Sequence, residues 1–214
     1  MKKRPGGPRA ARRRGSYHHG NLRRALLDAA LELVETQGAE ALTLRAAARR
    51  AGVSPAAPYR HFADKRTLLA AVAEEGFRAL TEAMRQATAA HGDESLGRFR
   101  ALGLSYIRFA VSHPAHFRVM FGREIADKSA HPDLLDAAAV TFGLLVEGLA
   151  GCQRAGLARE GDPAELAISA WAAVHGLSAL LLDGQLGPWD QERVEQLAHG
   201  VTASLFLGLG PQRA

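Results

Sequence analysis

Apolar residues return at steps of three and four along almost the whole of this 214-residue chain, and they never alternate over the length of a strand. That spacing admits helices and little else. Leu22, Leu26, Ala29 and Leu33 share one face, with Arg24, Asp28, Glu32 and Glu35 opposite, and Gly38 ends the run. Thr43 has the character of an N-cap for a short helix over Leu44–Arg50. Ser54 followed by Pro55 is a second start signal, for a helix that can run only to Phe62. Asp64 opens a fourth helix, with Leu69, Val72, Gly76, Leu80 and Ala83 aligned as far as about Ala89. After His91-Gly92-Asp93, the residues Phe99, Leu102, Tyr106 and Ala110 form one stripe, and a short piece starts at His113-Pro114. Residues 122–131 read as a loop, and Leu135, Ala138, Phe142, Leu145, Leu149 and Cys152 make a long amphipathic face. Asp162-Pro163-Ala164-Glu165 is close to a capping box, and Asp190 opens the last helix. The expected fold is all-α, with about nine helices.

Charge divides the chain. Residues 1–66 hold 15 Lys/Arg against 5 Asp/Glu, and residues 67–214 hold 12 against 17. A basic first third on an acidic remainder points to a polyanion-binding module joined to something else. A basic solubility tail is the plainer reading, since seven of the charges lie in residues 1–14, but residues 15–66 keep a positive excess without them. Residues 1–20, rich in Arg, Gly and Pro, are expected to be a disordered basic arm. No apolar stretch follows the basic start as it would in a signal peptide. The longest largely apolar run, 168–182, is 15 residues, short of the ~20 of a membrane span. With a single cysteine, Cys152, on a packing face, no internal disulfide forms, and a cytoplasmic protein with no membrane partner is expected.

The stretch GVSPAAPYRHFADKRTLL, residues 52–69, crowds Tyr59, Arg60, His61, Lys65 and Arg66 together on a segment too short for a core helix. Two short helices joined through Gly52-Val53 have the dimensions of a helix-turn-helix, whose second helix enters the major groove. Ala56 and Ala57 are small enough to bring backbone to base edges, and Tyr59, His61 and Lys65 are donors to backbone oxygens. A solvated turn between core helices is the alternative.

The run LTLRAAARRAGVSPAAPYRHFADKRTLL, preceded by LLDAALELVETQGAEA, resembles the DNA-binding domain of TetR-type transcriptional regulators. The resemblance covers about residues 18–70, with the glycine-valine turn, the Tyr-x-x-Phe ending and the following Lys in register. It implies a three-helix DNA-binding domain over 21–67 and a helical ligand-binding and dimerisation domain over 68–214. It also implies a homodimer on a palindromic operator of double-stranded DNA, usually a repressor released by a small molecule. Carried over by position, Tyr59, His61 and Lys65 contact phosphates, and Arg45 with Pro55, Ala56 and Ala57 faces bases. The backbone at Thr43 meets a phosphate at a helix N-terminus. Ser54 and Arg60 complete the candidate DNA surface. Pro58 departs from the pattern, standing where many relatives carry leucine. It removes an N–H and disfavours helical geometry at Ala57, so the recognition helix either starts near Pro58 or has a distorted first turn.

The Trp171-x-x-x-His175-Gly176 run and HPAHFRVMFG upstream resemble the subclass of C-terminal domains named for a Trp-His-Gly signature. Trp171 and His175, one turn apart, are the sharpest candidates for an effector pocket, with Tyr106, Phe117 and Phe142 as further lining; a core tryptophan with a satisfied histidine is the alternative. Phe99, Met120 and Phe121 could border the same space. No phosphate loop, nucleophile elbow, HExxH, CxxC or dinucleotide fingerprint occurs, so neither catalysis nor a cofactor is expected. Nine histidines raise a metal reading, yet His113, His116 and His131 lack acids or thiols at zinc-like spacing. His18 and His19 read as polar residues of the arm rather than as ligands.

Overall fold

The structure, a computed structural model, describes residues 19–210, so residues 1–18 of the expected arm over 1–20, His18 among them, lie outside the described residues, while His19 and Gly20 belong to the first helix. Among the described residues there are eight α-helices and no strand. They are α1 (His19–Gln37), α2 (Leu44–Arg50), α3 (Lys65–Ala89), α4 (Ser95–Ser112), α5 (Pro114–Met120), α6 (Pro132–Arg154), α7 (Pro163–Leu182) and α8 (Gln191–Leu209). Four of the start signals act as their chemistry demands, Ser54-Pro55 being the exception. Side-chain oxygens of Thr43, Asp64, Asp162 and Asp190 accept from the amides of Ala46, Thr67, Ala164 and Arg193. Removing the Thr43 hydroxyl by Thr43→Ala is expected to lower stability by about 1 kcal/mol, read as a shift of the urea midpoint at unchanged slope.

The end of α2 explains Gly52. Val53 N–H donates to Ala48 O at 3.0 Å and Gly52 N–H to Arg49 O at 3.2 Å, the two bonds of a Schellman turn. That turn requires the φ of +69° that Gly52 adopts.

The expected helix over residues 55–62 is where local geometry departs from the pattern. Those residues form turns followed by a single 3-10 turn, Pro58–Arg60. Pro58 is the cause, because it has no N–H to send back to Ser54 O. Ala57 N–H donates there instead at 3.0 Å, and Arg60 and His61 bond three residues back. Ala57 itself, at φ −62° and ψ −40°, stays in the helical region despite the proline after it, so the strain falls on bonding and not on that residue's dihedrals. Pro58 is also buried, one turn from the buried Phe62, and these two hold the segment onto the core.

Helix α3 is the spine. It packs on α1, α4, α5 and α6, so one rigid element runs from the basic end of the molecule into the second helical set. Gly76 permits its close approach to α5, for a Cβ there would come within 2.5 Å of Met120 Sδ. Arg24 of α1 reaches Glu75 of α3 at 3.1 Å, close to the same joint. Below it, α4, α6, α7 and α8 close a bundle whose core includes Leu102, Ile107, Leu149, Leu181 and Val194.

By length and composition alone, α6 and α7 could each cross a membrane. A count over the single run 168–182 misses this, whereas an average over a helix tolerates a charge or two. Both are packed in the bundle, α7 burying Leu166, Ala170, Val174, Leu177 and Leu181 against its neighbours.

Candidate nucleic-acid interface and effector cavity

Helix α2 buries Leu44, Ala46, Ala47 and Ala48 and leaves Arg45 and Arg49 exposed one turn apart. Arg50 is paired with Glu32, while Arg45 and Arg49 have no acidic partner among the described residues. After the Gly52 turn, Ser54, Pro55 and Ala56 are exposed and Ala57 half-buried. Burial of Pro58 and Phe62 then forces Tyr59, Arg60 and His61 outward, Tyr59 with 54% of its surface free. An aromatic ring so exposed has no packing role, which suits a hydroxyl that reaches for an oxygen. Lys65 Nζ donates to Glu40 O at 3.4 Å, tying the start of α3 to the segment before Thr43. The fold thus gathers the candidate DNA residues around α2, the 3-10 turn packed on it, and the first residue of α3. Arg49, which the sequence reading passes over, belongs with them; its four-residue spacing from Arg45 was the available signal.

The second site is a cavity of about 190 Å³ between α3, α4, α6 and α7. Its walls include Phe77, Leu80, Met84, Leu102, Gly103, Phe121, Ala138 and Leu145, with Tyr106, Phe142 and Trp171 from the expected set. Thr141 is a polar exception. Its hydroxyl sits 2.8 Å from Thr81 Oγ1 and donates to Ala137 O at 2.9 Å, so its hydrogen bonding is met inside the protein. No charged side chain lines the cavity. An apolar void on the order of 150 Å³ stays dry and takes up a ring such as benzene, so this space is of ligand size.

Phe117 and His175 stand behind that wall. The indole Nε1–H of Trp171 donates to Tyr106 Oη at 3.1 Å, and Tyr106 Oη lies 2.8 Å from His175 Nδ1. An indole N–H can only donate, so Tyr106 Oη accepts from Trp171, and it shares one further hydrogen bond with His175 Nδ1. Burial works in the same direction on both partners. It pushes the Tyr106 phenol well above its ordinary range, slightly offset by the Trp171 bond, and lowers the His175 pKa. Burial thus favours the uncharged form of His175, whose ring is stacked on Phe117 at 5.2 Å and edge-on to Phe121 at 4.7 Å. The relay fixes how Trp171 and Tyr106 face the cavity. Of the other aromatic candidates, Phe121 is in the lining, Phe99 lies in a separate cleft against α8, and Met120 is fully buried at the α3–α5 joint.

Residues 26–72 match the bacterial regulatory proteins of the tetR family, and residues 99–205, half of the chain, match the tetracyclin repressor-like C-terminal domain. A protein of unknown function from Rhodococcus sp. RHA1 is similar in structure, with a TM-score of 0.78 and 35% sequence identity over 92% of this chain and 99% of that one. PfmR, a TetR family transcriptional regulator from Thermus thermophilus, has a TM-score of 0.69 at 20% identity, covering 88% of this chain and 99% of its own. A regulatory protein of the tetR family from Rhodococcus RHA1 gives 0.69 at 18% identity, over 92% and 100%. At those lower identities the likeness is one of fold. No curated protein sequence matches the chain. The all-helical architecture, the basic helix-turn-helix end and both matched segments agree: the chain belongs to the TetR family of bacterial transcriptional regulators.

Proposed function

We propose that the protein is a homodimeric repressor that binds a palindromic operator and leaves it when a small, mostly apolar molecule enters the cavity. The observation that carries this reading is the course of α3, which begins at Lys65 beside the DNA-facing segment and borders the cavity with Phe77, Leu80 and Met84. On this reading residues 1–20 are an arm, 21–67 read DNA, and 68–214 sense the effector and dimerise. It works as a soluble protein of the cytoplasm and has no catalytic role.

Switching then follows from differential affinity. Near-complete reversal of a two-state equilibrium needs ~10⁴-fold preference, about 5.5 kcal/mol, or roughly a hundredfold from each of two cavities in a dimer. A molecule that fills an apolar space of this size gains that much by burial, and it acts on the switch to the extent that the space is open to it in one state and closed in the other. Its entry displaces Leu80 and Met84, tilts α3, and changes the spacing of the two DNA-reading segments.

Two variants separate the roles assigned on the DNA side. Lys65→Ala, a phosphate contact in each half-site, should weaken all duplexes alike and reduce the salt slope by about 0.9 per subunit, about 1.8 for the dimer. Arg45→Ala should relax preference at one base position, at a cost of roughly 1–3 kcal/mol. Competition between matched and mismatched duplexes reads both. If Lys65→Ala changed which sequence is preferred, the assignment of roles would be wrong.

A further inference from the structure

A second cleft, of about 140 Å³, lies one helical turn beyond the apolar cavity along the same three helices. Met84 on α3 is followed four residues later by Thr88, Leu102 on α4 is preceded by Arg98, and Leu145 on α6 leads to Gly148 and Gly151. A turn is ~5.4 Å, so the spaces are neighbours. Leu102 lines both and is the partition between them. Gly148 makes room for that side chain, since a Cβ there would stand 2.8 Å from Leu102 Cδ1. The chemistry changes across the partition. The first space is apolar, whereas the second is lined by two arginines, Arg98 and Arg154, one acid, Glu147, and the hydroxyl residues Thr88 and Ser95. Neither arginine has an acidic partner among the described residues, and with one carboxylate against two guanidinium groups the cleft keeps a positive excess.

Resting on the effector reading above, we propose that the effector is an amphiphile with one anionic head and an unbranched hydrocarbon tail. Arg98 and Arg154 hold the head, and the tail passes Leu102 into the apolar cavity. A cavity somewhat larger than the ~150 Å³ that takes a six-carbon ring holds a tail of roughly eight carbons, and the turn between the spaces adds a few more. A carboxylate and a phosphate monoester both meet a guanidinium through two oxygens, so either head group fits. A straight tail suits the path, because the partition is a single side chain with a glycine behind it.

The chain holds two tryptophans, so Trp189→Phe leaves Trp171, in the cavity wall, as the sole tryptophan, excited selectively at the red edge where tyrosine does not absorb. Full-length protein carrying that change is titrated with decanoate, decyl phosphate and decanol, alone and with Arg98→Gln plus Arg154→Gln. Both arginines are exposed, so the fold tolerates their loss. An anionic ligand is expected to bind at least tenfold tighter than decanol, and the double variant should erase that margin while leaving decanol unchanged. Whichever anion binds tighter identifies the head as carboxylate or phosphate. Equal binding of anion and alcohol, or an anion preference that survives the double variant, overturns the head site while the apolar cavity stands as an effector site. No change in Trp171 emission with any of the three, in protein that is folded by circular dichroism, overturns the effector cavity itself and this proposal with it.

Discussion

Leu197→Glu and Val201→Glu are each expected to convert the proposed dimer to monomers and to lower operator affinity at least a hundredfold. Both side chains line an open groove on α8, with Gly200, Ser204 and Leu205 on the same helix and Ala173 across on α7. The α7 face beside it exposes Ile168 and Leu180, at 48% and 44% of their surface, and Gly176 has open space in front of it. Each large apolar side chain left in water forgoes roughly 1.5–3 kcal/mol, and a second copy of the same face is the partner a two-fold axis supplies. A glutamate at the centre of that contact is buried without a partner charge, which such an interface does not tolerate. Loss of affinity follows from valency. Two linked half-sites exceed one by roughly 10²–10⁴ without any new contact, and a monomer forfeits that factor. Sedimentation velocity and duplex titration read the two effects. Ile168→Glu is the companion variant, because its side chain is further from the core. Dimers that persist in all three would move the interface elsewhere.

The second large effect concerns the cavity. Val174→Phe adds a ring to a residue that lines it and is otherwise buried, so the space fills with no change to the DNA-facing end. Operator affinity should stay within a few-fold of the parent. Release by an apolar effector, expected to approach ~10⁴-fold for the parent, should fall to a few-fold at most. Tyr106→Phe is the contrasting variant. It keeps the ring but leaves Trp171 Nε1–H and His175 Nδ1 without their partner, a loss of about 1–3 kcal/mol in stability with effector binding kept, because the cavity wall keeps its shape. His175→Ala removes the far end of the same relay, so it too should cost stability while operator binding and release are kept. Should Val174→Phe leave release intact, the effector binds outside this cavity.

Helix starts were the most legible part of the sequence. Thr43, Asp64, Asp162 and Asp190 each bond a backbone amide within three residues, a local interaction that needs no tertiary context. Local reasoning also flagged Pro58, because a missing N–H is a property of one residue. Its result, turns and a 3-10 segment in place of a helix, depended further on burial of Pro58 beside Phe62, which only packing decides. The cavity was harder to read. Three- and four-residue spacing marks Phe77, Leu80, Met84 and Leu145 as facing inward, but a residue that borders an empty space and one that fills the core have the same spacing. Depth is likewise invisible in one dimension. Trp171 and His175 share a helix face, yet Tyr106 from α4 comes between His175 and the cavity and takes the hydrogen bond. Aromatic residues were singled out because their size is visible in a sequence, and the smaller lining residues Gly103, Ala138 and Thr141 were passed over for the same reason.

The central claim, a dimer whose grip on DNA is governed by the cavity, is tested most directly by selecting bound sequences from a random duplex pool with the full-length protein, and then titrating the selected duplex with an apolar effector. The account predicts an inverted repeat with half-sites about one helical turn or slightly more apart, and loss of binding as the effector saturates the cavity. A pool that enriches no repeat, or a selected duplex whose affinity is unchanged when Trp171 emission reports a filled cavity, would contradict it.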